Sequence, residues 1–115
     1  MTLRECIESV DELIPNSFSH ETKTKWINEV EGKVQTEVFL LGPEEIKTYT
    51  YKECSEHELL VDPPHSKLYE PYLIAKIQFA SGEYGAYQNT FQMFNQFWNE
   101  FVCYFARLYR PADTR

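Results

Sequence analysis

The chain has 115 residues, 43% hydrophobic and 16% aromatic, enough to bury one core, so a disordered tail is excluded as the main description. Its 18 acidic and 11 basic side chains give a formal charge of -7, which argues against nucleic-acid binding through a broad basic surface. The acid is concentrated, with 14 Asp or Glu and 6 Lys or Arg in residues 1–62 against 4 and 5 in residues 63–115. That half is either a solvated face or a surface that repels polyanions or receives a basic partner.

Thr2 followed by Glu5 has the pattern of a capping box, and Leu3, Ile7, Val10 and Ile14 recur at helical spacing, so a first helix is expected to about Leu13, stopping at Pro15-Asn16. Ser19 is a good N-cap for a second helix over roughly 20–40, with Ile27, Val30, Val34 and Val38 as its stripe and Trp26 beside it. Between Gly42 and Pro64 the helical period disappears. Ile46–Tyr51 is β-branched and aromatic, Leu59-Leu60-Val61 is a second short apolar run, and polar Lys52–Glu58 is expected at the tip. This stretch predicts an extended arm or a short β-hairpin, either touching a neighbour or lying on its own domain.

A third helix is expected from Ser66 or nearer Glu70, because Pro71 is tolerated only in the first turn, and a turn is expected around Ser81–Gly85. In the last segment Tyr87, Phe91, Phe94, Trp98, Phe101, Phe105 and Leu108 fall on one side of a helix, which must face a core. Phe97, Tyr104 and Tyr109 lie off that line and widen the apolar surface towards a subunit interface. Arg107 and Arg110 suit the helix C-terminus, and Pro111 stops it. The expected fold is therefore mainly α: one domain over 1–115, a small bundle of about four helices with the 42–64 arm between helices two and three.

No catalytic constellation is visible. His20, His57 and His65 stand alone in turns or at helix edges, and no nucleophile elbow, phosphate loop, zinc-protease helix or calcium loop occurs. Glu29, Lys33 and Glu37 read as an exposed ion-pair ladder, and Glu53, Glu56 and Glu58 lack the spacing of a cation loop. Cys6, Cys54 and Cys103 form neither a zinc motif nor an even disulfide framework, and Cys103 is expected to be buried and inert in the aromatic helix. Neither a catalytic residue, a metal nor a cofactor is expected. MTLRECIESVDEL has charges inside any apolar stretch and no later run approaches about 20 apolar residues, so a chain made in the cytosol, with no membrane partner, is expected.

The order of these pieces, with Trp26-Ile27-Asn28-Glu29-Val30-Glu31, Tyr69-x-x-Tyr72-Leu73, Gly82-Glu83-Tyr84-x-x-Tyr87-Gln88-Asn89 and Phe94-Asn95, resembles the head-to-tail connector (adaptor, neck) proteins of long-tailed phages and prophages. The resemblance covers nearly the full length, except that the 42–64 arm matches no family motif. It implies a non-enzymatic structural virion protein, made in the host cytoplasm and placed at the head–tail interface. Such proteins form a homo-oligomeric ring, typically of twelve copies, between the portal protein and neck or tail proteins, with DNA only as passing cargo; the isolated chain can be monomeric. On this reading Trp26, Ile27, Val30, Val34, Leu73, Ile77, Phe91, Phe94, Trp98, Phe101 and Phe105 build the bundle. Trp26, Phe97, Trp98, Phe101, Tyr104 and Tyr109 are the candidates for the core or subunit interface. The alternative is a small acidic intracellular protein-interaction or inhibitor module.

Overall fold

The computed structural model describes residues 1–108 and is mainly helical, with no strand among them. Helix α1 spans Leu3–Leu13, and its start is fixed by the capping box read from the sequence: the Thr2 hydroxyl accepts from the Glu5 amide at 3.1 Å, and the Glu5 carboxylate accepts from the Thr2 amide at 2.9 Å. Ser19 caps α2, His20–Lys33, by accepting from the Thr22 amide at 3.1 Å. The helix continues as a π-helical turn, Val34–Val38, and ends at Leu40, which takes a left-handed φ of 60°. The Leu41 amide closes this end on the Gln35 carbonyl at 2.9 Å.

The single-turn helix α3, Tyr51–Cys54, follows, then a 3-10 turn at His65–Leu68 and helix α4 at Tyr69–Ala80. Pro71 falls in the first turn of α4, where its missing N–H leaves no bond unmade. The turn after α4 places Gly82 at φ 81°, a conformation a β-carbon disfavours, and α5 then runs from Tyr84 to Leu108. At 1.5 Å per residue it is about 37 Å long. Tyr109, Arg110 and Pro111, to which the sequence assigns an interface residue, a helix-end charge and a stop, lie outside the described residues.

Helix α4 is central and touches α1, α2 and α5. Leu3, Ile7 and Val10 of α1, Ile27, Val30 and Val34 of α2, and Leu73 and Ile77 of α4 are buried against Phe94, Trp98 and Phe101 of α5. Burying each such side chain contributes roughly 1.5–3 kcal/mol, the main force holding the helices together.

The expected hairpin is absent, and the 42–64 stretch is not a protruding arm. It is a strap laid on its own domain, with Tyr49, Leu59 and Val61 buried in the common core. The expected polar tip is also used. The Ser55 and His57 carbonyls accept from the Arg4 and Leu3 amides at 2.8 and 3.1 Å, satisfying donors that every helix start leaves open. Met1 and Leu59 complete an isolated antiparallel bridge between Thr2 and Glu58.

Candidate assembly surface

The rings of α5 form a ladder along one face, because a 4-3-4-3 spacing brings them one above another. Ring centres lie 5.6 Å apart for Phe91 and Phe94, 6.1 Å for Phe94 and Trp98, and 6.0 Å for Trp98 and Phe101. Tyr72 of α4 meets Phe94 edge-on at 4.9 Å. Trp98 and Phe101 are thus covered within one copy. Phe97 is half-buried beneath Lys67, whose ammonium lies 4.7 Å from its ring centre, and Trp26 is half-buried against Phe18 at 5.3 Å. Tyr104 faces outward, 39% exposed, with its ring 4.6 Å from that of His65.

Exposed apolar side chains lie near both ends of α5, and Leu13, 65% exposed, stands apart at the end of α1. At the C-terminal end of α5 Leu40 is 77% exposed and Leu108 57%, beside a groove of about 190 Å³ lined by Phe39, Leu60, Asp62, His65, Phe101 and Phe105 among others. The groove forms because the strap and the end of α2 meet α5 there, Phe39 lying 5.3 Å from Phe105. His65 Nδ1 is buried without a hydrogen-bond partner. At the N-terminal end Phe79 and Tyr84 are more than half exposed and pack edge-on at 5.3 Å; Phe79 also meets Tyr87 at 5.1 Å. Met93 is exposed along the outer face of α5.

The polar interior was not foreseen from the sequence. Glu31 of α2 is fully buried, its carboxylate accepting from the Tyr69 hydroxyl at 2.5 Å, the Leu60 amide at 2.9 Å and the Tyr49 hydroxyl at 3.1 Å. The Tyr69 oxygen in turn accepts from the Val61 amide at 2.9 Å. Burial pushes the Glu31 carboxyl above its ordinary range, opposed by the bonds from Tyr69, Leu60 and Tyr49 and by the charge of His57. Asn28 and Gln35 flank it on the same helix. The Asn28 amide bonds both the N–H and the C=O of Tyr49, at 2.8 and 2.9 Å, and Gln35 does the same for Lys47, at 2.8 and 2.9 Å. Most of the Ile46–Tyr51 run, up to Thr50, is therefore extended, as its composition suggests, but it pairs with side-chain amides instead of a second strand, and Tyr51 begins α3. A polar set at 28, 31 and 35, interleaved with the apolar stripe at 27, 30 and 34, is the signal that would have located this face.

The remaining candidates disperse. Glu29 leaves the expected ladder to pair with Lys76 at 3.0 Å and to accept from the Tyr72 hydroxyl at 2.6 Å, while Lys33 keeps Glu37 at 3.5 Å. Glu56 holds Arg4, with one contact at 3.2 Å, and Glu58 holds the Met1 ammonium at 3.0 Å. His20 stands 3.9 Å from Asp11 and His57 packs beside Tyr49, so the three histidines do not converge. Among the described residues no group of three or more His, Cys, Asp or Glu is placed to hold a metal. Cys6 is buried, its thiol pushed up by burial and by the charges of Glu70 and Glu31. Cys103 is exposed, contrary to the expectation of burial, because it sits two residues past Phe101 and so off the inward face of α5. No described helix is long and apolar enough to cross a membrane. No family model, curated protein or solved structure matches the chain.

Proposed function

We propose that this chain is a non-enzymatic structural protein, a head-to-tail connector of phage or prophage origin that assembles as a ring between portal and neck or tail proteins. The observation that carries the reading is the exposure of Leu40, Tyr104 and Leu108 at one end of α5 and of Phe79 and Tyr84 at the other. Large apolar side chains left open at both ends of a spanning helix suit contacts with successive neighbours, the geometry that closes rings. The resemblance of the sequence motifs to those of connector proteins suggests the biological setting. In that setting the acid-rich α1–α2 region, with Glu8, Glu12, Glu21 and Glu37 exposed, would line or flank a channel that DNA crosses without adhering. Its place would then be the virion neck, reached from the host cytoplasm.

The same exposed carboxylates favour a second reading, an acidic interaction or inhibitor module that occupies a basic groove on a partner. Light scattering of the purified chain, alone and mixed with the portal protein encoded beside it, separates the two. A stoichiometric ring on the portal supports the connector. A chain that neither self-associates nor binds the portal contradicts it.

A further inference from the structure

The fold divides at Leu40 into two parts that hold each other chiefly across that point. Residues 1–39 form the α1–α2 helical hairpin, and residues 43–108 carry the strap, α4 and α5. The bonds from Asn28, Glu31 and Gln35 to Tyr49, Leu60, Tyr69 and Lys47 all run from the first part to the second. So do Arg4 with Glu56, Met1 with Glu58, Glu29 with Lys76, and Ser9 with Glu70. Their donors and acceptors are blind to which copy supplies the other half.

The joint between the parts carries strain. Leu40 occupies the left-handed position at the end of a helix, where glycine is usual; its side chain is 77% exposed, so packing does little to hold it there. The following turn, Pro43–Glu45, is exposed as well. If Leu40 relaxed to right-handed backbone, the helix would continue towards Gly42 and stop only at Pro43, carrying the second part away from the first.

We propose that neighbouring copies exchange their N-terminal hairpins about Leu40, each copy's residues 1–39 seating on the strap and α4 of the next. The partner is a second copy of this chain, and the exchanged contact surface is the one the single copy already displays. Passed in one direction around a circle, the exchange generates a closed ring with every buried bond retained. The idea deepens the ring reading, but exchange itself can be measured on the chain alone.

The Thr2–Glu58 bridge supplies the test. Both flanking bonds, Leu3 to His57 and Leu59 to Met1, mark it as a non-hydrogen-bonded antiparallel pair, whose α-carbons are about 4.5 Å apart and suit a disulfide. Thr2→Cys with Glu58→Cys, in a Cys54→Ser, Cys103→Ser background, is refolded at low and high concentration, oxidised and run on a non-reducing gel, and the same protein is assembled on the portal ring. Exchange predicts links between chains that grow with concentration and a covalent ladder from the assembled ring. Links confined to single chains, in concentrated protein and in the ring, overturn it. Concentration-dependent links without any portal ring would uphold exchange and remove the connector reading. Leu40→Gly relieves the strain and should lower the ratio of interchain to intrachain links about five-fold; an unchanged ratio overturns the hinge. Should loss of the Thr2 cap impair folding, the unmutated chain serves. A mixture of heavy- and light-isotope protein, refolded together and treated with carbodiimide, should give heavy–light Glu29–Lys76 cross-links if exchange occurs. Only heavy–heavy and light–light links overturn it.

Discussion

Replacing Tyr69 by Phe deletes one oxygen and removes the partner of two buried atoms, Glu31 Oε1 and the Val61 amide nitrogen, while Glu31 keeps its bonds from Leu60 and Tyr49. The hydroxyl donates to Glu31 at 2.5 Å and accepts from the Val61 amide at 2.9 Å, and Tyr69 has no exposed surface through which water could substitute. Leaving a buried donor or acceptor unsatisfied costs about 1–3 kcal/mol, and more when the acceptor is charged, so the loss here is roughly 2–5 kcal/mol. For a chain of this size that corresponds to a fall of roughly 10–20 °C in Tm. Urea unfolding followed by the fluorescence of Trp98, itself buried in the core, should show a lower midpoint with an unchanged slope. Tyr72→Phe is the matched control: its hydroxyl bonds Glu29 at 2.6 Å at the surface, where water replaces it, and the cost should be about 1 kcal/mol or less. If the two substitutions destabilise equally, the buried Glu31 network is not holding the strap and the reasoning is wrong.

Further outcomes follow from the same structure. The Glu31 carboxyl is raised on folding, so the folded protein binds its proton more readily; the stability that proton contributes is present below the ordinary carboxylate range and is lost as pH rises through the interval up to the raised value. Urea midpoints from about pH 4 to 8 should therefore fall less for Glu31→Gln than for the unaltered chain, and parallel profiles would refute this. The lowered carboxyls of Asp11, held by Lys23 and Asn16 against the effect of its burial, and of Glu56, held by Arg4, act in the opposite sense and are common to both proteins. With a thiol reagent, exposed Cys103 should react rapidly and buried Cys6 only on unfolding; equal rates would show that the α1 face is open. Phe94→Ala should cost about 3–5 kcal/mol by leaving a cavity between α4 and α5. Tyr104→Ala, at an exposed position, should cost little stability yet weaken assembly on the portal; a destabilised chain that still assembles would reverse the assignment.

Much of the fold was legible because local chemistry fixes it. Thr2 and Glu5, Ser19, Pro71 and Gly82 each act through backbone groups within a turn of themselves, so their positions mark helix ends without knowledge of the rest. The inward row of α5 was legible for a similar reason, since its spacing is the helix period itself. What escaped depends on partners distant in the chain. Ile46–Tyr51 has the composition of a strand, but which groups satisfy its backbone is decided by Asn28 and Gln35, 21 and 12 residues from their partners and on another element. Glu31 looks like any helix surface acid until the strap closes over it, and Glu29 looks like half of an ion-pair ladder until Lys76 arrives from α4. Of the residues read as core or interface, Trp98 and Phe101 turn inward and Tyr104 is exposed, whereas the openly exposed Leu40, Phe79 and Tyr84 were not singled out by the aromatic spacing of α5.

Electron microscopy of the neck of a particle carrying this gene product bears most directly on the account. It should reveal copies of this chain as a closed ring coaxial with the portal, with adjacent copies meeting through the two ends of α5 and the acid-rich hairpins near the channel. A neck that lacks the protein altogether, or contains it with those apolar ends facing solvent, would contradict the assignment.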